Sequence, residues 1–276
     1  MPKYIIVLAL SICAVSTAAP LAKLSSLHPI GLGFWRTFIV GALLLPFAKS
    51  LPKKHRAITL FSGLLLALHF WSWFESLQHT SALRSTLLVC LNPIWVALYE
   101  QIFSKQKPSL KYWFGVSISI VGVCLMSTTS ENPTSLLGDA LALLGGFFGA
   151  MYLLIGRKVR KDVDISTYGA INCLSCAFWL LLIGLGLSFP ILESTWSGWL
   201  IIIAMSLGPQ LTGHIGLNYA LKFTKASRVS MLLLLEPVGA ALIAASVLSE
   251  IPTQQELLGA LIVIFGLLLG IRNQKN

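Results

Sequence analysis

Charge is what this chain most lacks. Asp, Glu, Lys and Arg make up only 11% of its 276 residues, against about 25% in soluble globular domains. With 56% of the residues apolar, too little polar surface remains to cover a water-soluble body. Acids are the scarcer sign, 10 against 20 Lys plus Arg, for a net charge of +10. The cations sit in short clusters between apolar runs, with no basic groove or readable motif, so no nucleic-acid partner is expected. No Gly-rich phosphate loop occurs. The five cysteines, Cys13, Cys90, Cys124, Cys173 and Cys176, show no metal-ligand spacing with His and read as packing residues. Neither a metal nor another cofactor is expected.

What is present is a series of long apolar runs. They lie near Tyr4–Leu24, Ile30–Ala48, Ile58–Leu77, Ala82–Phe103 and Leu110–Ser127, then Leu136–Gly156, Ser166–Phe189, Trp196–Leu221, Ala226–Leu248 and Gln255–Ile271. Each is long enough to cross about 30 Å of hydrocarbon as a helix. Without strand-like alternation, a span must satisfy its backbone internally as a helix. With the N-terminus placed in the cytoplasm, 17 of the 20 Lys and Arg fall in inside segments, leaving Lys23, Arg36 and Arg84 on the outer half. The positive-inside rule therefore predicts an all-α integral membrane protein of ten transmembrane helices with both termini cytoplasmic, its expected home the bacterial inner membrane. Lys3, the apolar run after it and Ala18-Ala19-Pro20 also resemble a signal peptide. The run is long for that role, and removing it would break the symmetry described next.

Shifted by 144 residues, Leu77–Leu125 overlays Leu221–Leu269 without a gap. Thr80/Thr224, Ala82/Ala226, Arg84/Arg228, Pro93/Pro237, Pro108/Pro252, Gly115/Gly259 and Gly122/Gly266 all coincide. The chain thus reads as two five-helix repeats, 1–133 and 134–276. Five is odd, so the second repeat enters the membrane from the opposite side. Inverted repeats are a recurrent plan of secondary transporters, with the substrate site near the midplane between halves.

Ser230 to Ala240, containing Glu236-Pro237-Val238, followed by Leu248-Ser249-Glu250, resembles the second-half signature of EamA-type carriers of the drug/metabolite transporter superfamily. Two departures stand out: Ser249 replaces the usual Gly, and Gln106 stands where the first half often has an acid. The resemblance implies ten helices in two repeats, a small-metabolite carrier or exporter without ATP hydrolysis, and a cavity walled by helices 1, 3, 4, 6, 8 and 9.

The residues themselves nominate a site. Glu236 and its repeat mate Asn92 lie mid-helix, each before a proline, and Pro93 and Pro237 should kink helices 4 and 9. A midplane acid is costly, so it usually faces the interior and serves a function. Gln210, His214 and Asn218 recur at i, i+4 and i+8 as one polar stripe on helix 8. His69 and Trp73 lie one turn apart on helix 3, and His69 is one position off the repeat mate of His214. Trp71 and Trp73 could stack on a planar or cationic ligand; Trp113, Trp196 and Trp199 read as interfacial belt residues. Arg36 fits an anion site or, by preference, snorkelling to headgroups. Glu100 is expected to pair with Lys105 at the surface. Gly115/Gly122 and Gly259/Gly266/Gly270 suit close helix packing, within the fold or at a dimer contact.

The expected function is a secondary transporter of a small polar metabolite, amino acids or their derivatives first, by alternating access with a coupling proton or an exchanged solute. Its partners would be the substrate and membrane lipid, as a monomer or homodimer. The rival is a membrane-embedded enzyme or lipid-modifying or flipping factor, which would need a convergent catalytic set; no catalytic residue is assigned.

Overall fold

The structure, a computed structural model, describes residues 2–25, 27–80, 82–104, 107–127, 135–192, 195–247 and 253–271. Among these residues there are helices and connectors but no strand. The first repeat contains α1 (Lys3–Ser16) and α2 (Ala18–Leu24), which together make the first span, then α3 (Pro29–Leu44) and α4 (Lys53–His79). The fourth span is α5 (Ala82–Val89) plus α6 (Asn92–Phe103), and the fifth is α7 (Leu110–Ser127). In the second repeat α8 (Leu136–Val159) and α9 (Ile165–Gly186) are continuous. The eighth span joins α10 (Trp196–Met205) to α11 (Gly216–Leu221) through a π-helical run, Ser206–Ile215. The ninth joins α12 (Ala226–Leu232) to α13 (Glu236–Val247) through a 3₁₀ turn, Leu233–Leu235, and α14 (Gln254–Ile271) is the tenth.

Eight of these runs are long and apolar enough to cross a membrane, and α7 and α14 contribute shorter apolar helices. Large apolar side chains such as Phe114, Leu182, Leu261 and Phe265 remain exposed on the outside. That is the reverse of a soluble domain and is what lipid requires. Side-chain caps start the second-repeat helices: Ser135, Asp164 and Thr195 each accept from a backbone N–H three residues on, at 3.0–3.1 Å.

The halves pack across a pseudo-two-fold relation. α3 lies against its repeat mate α9, and α7 against its mate α14. The packing of α4 on α8 is mirrored by that of α1 on the π run and α11. At the end opposite the basic clusters, Arg84 on α5 donates from Nε and Nη2 to the two carboxylate oxygens of Asp139 on α8, both at 2.8 Å. At the basic end, Asp162 accepts from Lys54 Nζ at 2.7 Å and pairs with His55 Nε2 at 2.9 Å, and those two hydrogen bonds hold its carboxyl below the usual range.

The glycine positions on helices 5 and 10 meet inside the fold. A Cβ on Gly115 would lie 2.5 Å from the Gly266 carbonyl oxygen, and one on Gly122 would lie 2.6 Å from that of Gly259. The α7 and α14 backbones are therefore in contact, and Ser119 Oγ donates across the seam to Val263 O at 3.1 Å. Close approach of this kind replaces the hydrophobic driving force that helices lack in lipid. Gly266→Val should force the seam apart and cost about 1–3 kcal/mol, as overpacking does. Its thermal midpoint in detergent should fall below wild type, whereas Leu261→Val on the exposed face of α14 should leave the midpoint nearly unchanged. Equal midpoints for Gly266→Val and wild type would refute the seam.

Candidate functional site

Four spans are interrupted, and the interruptions cluster. The first breaks at Thr17 between α1 and α2, where the Thr17 hydroxyl donates to Ala14 O at 2.7 Å. The fourth breaks at Cys90–Leu91, immediately before Asn92 and Pro93. The ninth tightens to 3₁₀ at Leu233–Leu235, immediately before Glu236 and Pro237. Proline removes an N–H from the helical ladder and crowds the preceding turn, which accounts for the break at the same register in both repeats. The eighth span widens over Ser206–Ile215, which contains Gly208, Pro209 and Gly213. There Thr212 Oγ1 donates to Leu207 O at 2.8 Å, and Ser11 Oγ of α1 reaches Thr212 O at 2.9 Å. Hydroxyl groups thus satisfy carbonyls in the irregular stretches.

A small central cavity of about 40 Å³ lies among these breaks. Its walls come from spans 1, 3, 4, 6, 8 and 9: Val15 and Ala18; His69 and Trp73; Val89, Cys90 and Asn92; Gly149, Tyr152 and Leu153; His214 and Leu217; Leu233 and Glu236. It has room for a few water molecules only. Cys90 Sγ is 3.7 Å from Glu236 Oε2, and Asn92 Oδ1 is buried without a hydrogen-bond partner. His69 Nδ1 lies 2.8 Å from Gly145 O. A carbonyl can only accept, so the proton sits on Nδ1 and Nε2 keeps its lone pair. The His69 and His214 rings are 6.1 Å apart, and Trp73 stacks along His69 at 6.3 Å. Glycine makes room for this imidazole: a Cβ on Gly149 would lie 2.9 Å from His69 Nδ1.

Five of the nominated residues, Glu236, Asn92, His69, Trp73 and His214, therefore meet around one cavity. Gln210, Asn218 and Trp71 stand outside its lining. Asn218 Nδ2 donates to the Tyr152 hydroxyl and, at 2.9 Å, to His214 O. Trp71 packs against the core with its indole N–H unpartnered. The polar stripe does not run straight. In a π run the turn is wider than 3.6 residues, so Gln210 aims at α3 and α9 while His214 aims at α4. The Gly208-Pro209 dipeptide was the available sign of that distortion.

Arg36 corrects the sequence-based expectation. It does not snorkel: its side chain is fully buried, 0% exposed. Nε donates to Gln210 Oε1 at 3.0 Å, the guanidinium carbon sits 4.5 Å over the Phe70 ring, and both terminal nitrogens lack a hydrogen-bond partner. Arg36 lies seven residues past Pro29 on α3, about 10 Å along the helix. It also shares a face with Gly33 and Val40, three residues before it and four after, both buried. Depth and face together marked it as an interior residue. The Glu100 carboxylate accepts from Ser227 N at 3.4 Å, joining α6 to α12. Lys105, its expected partner, and Gln106, Ser249 and Glu250 lie outside the described residues. Among the belt tryptophans, Trp196 is exposed, whereas Trp199 packs edge-on to Trp35 at 4.9 Å.

The chain matches the EamA-like transporter family twice, over residues 2–128 and 136–272. It is 28% identical over 192 residues to the uncharacterized transporter YdfC of Bacillus subtilis, covering 67% of this chain and 61% of that protein. It is 28% identical to the uncharacterized transporter YyaM of the same organism, covering 71% and 66%. The alignments thus span just under two thirds of those two relatives. An uncharacterized transporter of Archaeoglobus fulgidus is 24% identical over 268 residues, covering 92% and 91%. A crystal structure shares the fold with a TM-score of 0.82 over 99% of both chains, at 16% identity.

The Arg36–Gln210 contact has a measurable consequence. Hydrogen bonds to charged groups are worth about 1.5–3 kcal/mol, and a buried cation that loses its acceptor costs at least that much. Gln210→Leu should therefore lower the thermal midpoint in detergent by several degrees. Leu207→Ala, on the exposed side of the same run, should lower it far less. Indistinguishable midpoints would mean that Arg36 does not depend on Gln210.

Proposed function

Because the chain belongs to the EamA-like transporter family, we propose that it is a secondary carrier that moves a small polar metabolite by alternating access. Amino acids or their derivatives are the first substrate class. The observation that carries this reading is the convergence of Glu236, Asn92 and His214, at breaks in helices from both repeats, with His69 of the continuous helix α4 around one cavity. Polar groups on broken helices between inverted repeats are what a carrier needs at its turning point, because irregular backbone at membrane depth is tolerated only where it lines a protein cavity. A closed cavity of about 40 Å³ fits a form that must widen, as one half rocks, before it admits a substrate.

The charges favour a zwitterion. Glu236 supplies an acceptor for an ammonium group, and the buried Arg36, bonded to Gln210 on the π run that also carries His214, supplies the opposite charge. His69 presents an acceptor nitrogen, and Trp73 and Tyr152 supply aromatic wall. A sugar phosphate would call for several cations in the lining, and the cavity lining contains none. Taking up a proton at Glu236 would weaken its hold on a cationic group, so the same carboxyl can bind and release. The basic clusters support a cytoplasmic location for their end and for both termini. The relatives from Bacillus and Archaeoglobus agree with a prokaryotic cytoplasmic membrane as the location.

Uptake into proteoliposomes across a panel of amino acids and nucleosides tests the reading, and failure of every compound to exchange would reject it. With an active substrate in hand, Glu236→Gln should fold normally, transport slowly and lose the pH dependence of the wild type. An unchanged rate and pH profile would make Glu236 structural. Gly149→Ala, which pushes on His69 without removing any polar group, should also slow transport while leaving the pH profile in place.

A further inference from the structure

A second opening, far larger than the central cavity, lies away from it, and nothing in the transport reading uses it. It is a fissure of about 860 Å³ between α4 and α6, floored by α8. The two helices each pack on α8 but scarcely on one another, so the fissure opens sideways between them. Its walls are apolar: Phe61, Leu65 and Leu68 from α4, and Phe148, Met151 and Leu154 from α8. Its mouth is basic, with Arg157, Lys158, Lys161 and Lys225 against the single carboxylate of Glu100. Among the described residues no carboxylate forms a close ion pair with Lys158, Lys161 or Lys225. Arg157 Nη1 donates to Leu221 O at 2.6 Å and Lys222 O at 3.0 Å, which fixes that guanidinium at the rim.

The dimensions match one leaflet. Along α8 the fissure runs from Lys158 back to Phe147, and along α4 from Ile58 to Leu68. At 1.5 Å per residue both distances are about 15 Å, half of a hydrocarbon core of about 30 Å. Cations crowd one end of this apolar length, and the long side is open to the bilayer.

We propose that this fissure binds an anionic phospholipid, with the phosphate at Arg157, Lys158, Lys161 and Lys225 and an acyl chain lying along Phe148, Met151 and Leu65. Charge complementarity selects the headgroup: a basic pocket between transmembrane helices holds an acidic lipid head. The apolar length selects a lipid over a soluble anion, which would leave about 15 Å of wall uncovered. A lipid standing there also fills the gap between two helices that otherwise lack contact, so it should stabilise the fold by mass action.

The test uses the full chain, purified in a neutral detergent and titrated with phosphatidylglycerol or with phosphatidylcholine of the same acyl chains. Retained lipid is read by native mass spectrometry and stability by thermal midpoint. Phosphatidylglycerol should be retained at about tenfold lower concentration than phosphatidylcholine and should raise the midpoint more. The triple variant Lys158→Gln, Lys161→Gln, Lys225→Gln should lose most of that preference. A control triple with the same charge change outside the fissure, Lys49→Gln, Lys53→Gln, Lys222→Gln, should keep it. Met151→Trp, which fills the apolar wall and leaves every charge in place, should weaken retention of both lipids. Equal retention of the two lipids by the wild type, or equal loss in the two triples, would overturn the proposal. So would a midpoint shift of the same size from glycerol phosphate, which would make this a soluble-anion site. None of these readouts depends on transport, so the proposal stands or falls separately from the carrier reading.

Discussion

A backbone inside hydrocarbon has no water to bond with, so every N–H and C=O left unpaired must find a partner in the protein. This chain breaks its helices at Thr17, at Cys90–Leu91, over Ser206–Ile215 and at Leu233–Leu235. Each of these breaks holds or adjoins a residue that lines one cavity. Where carbonyls are released, hydroxyls of Thr17, Thr212 and Ser11 take them up. The continuous helices α4 and α8 pack on one another, and α7 and α14 form a seam, which gives the broken spans an unbroken frame. Placement of the polar site follows from this constraint, because only an interior position tolerates interrupted backbone.

Buried charge imposes a second demand. Removing an ion from water costs several kcal/mol even after relaxation, yet Arg36 is wholly enclosed with two nitrogens unpartnered. One acceptor from Gln210 and the face of Phe70 offset part of that cost. The remainder is the kind of imbalance that a bound anionic group would relieve. Glu236 faces the cavity with only the weak Cys90 thiol against it. Arg36 lies outside the cavity lining and Glu236 lies within it.

The two repeats use matched positions for different chemistry. Asn92 and Glu236 occupy the same place before Pro93 and Pro237, but one is neutral and the other ionisable. His69 and His214 are one residue out of register, and the wider π turn helps bring their rings to 6.1 Å. Symmetry therefore supplies the frame, and the departures from it supply a polar, asymmetric centre.

The sequence by itself determined the solvent, the class and the plan. Scarce charge and long apolar runs require helices in a membrane, and the recurrence of Pro93/Pro237, Gly115/Gly259 and Gly122/Gly266 at one spacing encodes two repeats. These properties are local or periodic, so they can be read without knowing which residues touch. The sequence also pointed to Glu236, Asn92, His69, Trp73 and His214, since a polar group in an apolar helix must face protein. Tertiary structure alone decided which polar residues share the cavity and which serve the wall behind it. Gln210 turned to Arg36 because Pro209 and its neighbouring glycines widened the helix, and Asn218 turned to Tyr152. Arg36 is buried because the packing of α3 on α9, not its own chemistry, determines whether a guanidinium reaches water. The lateral fissure between α4 and α6 was equally invisible, since a gap between helices is a property of their separation and leaves no pattern along the chain.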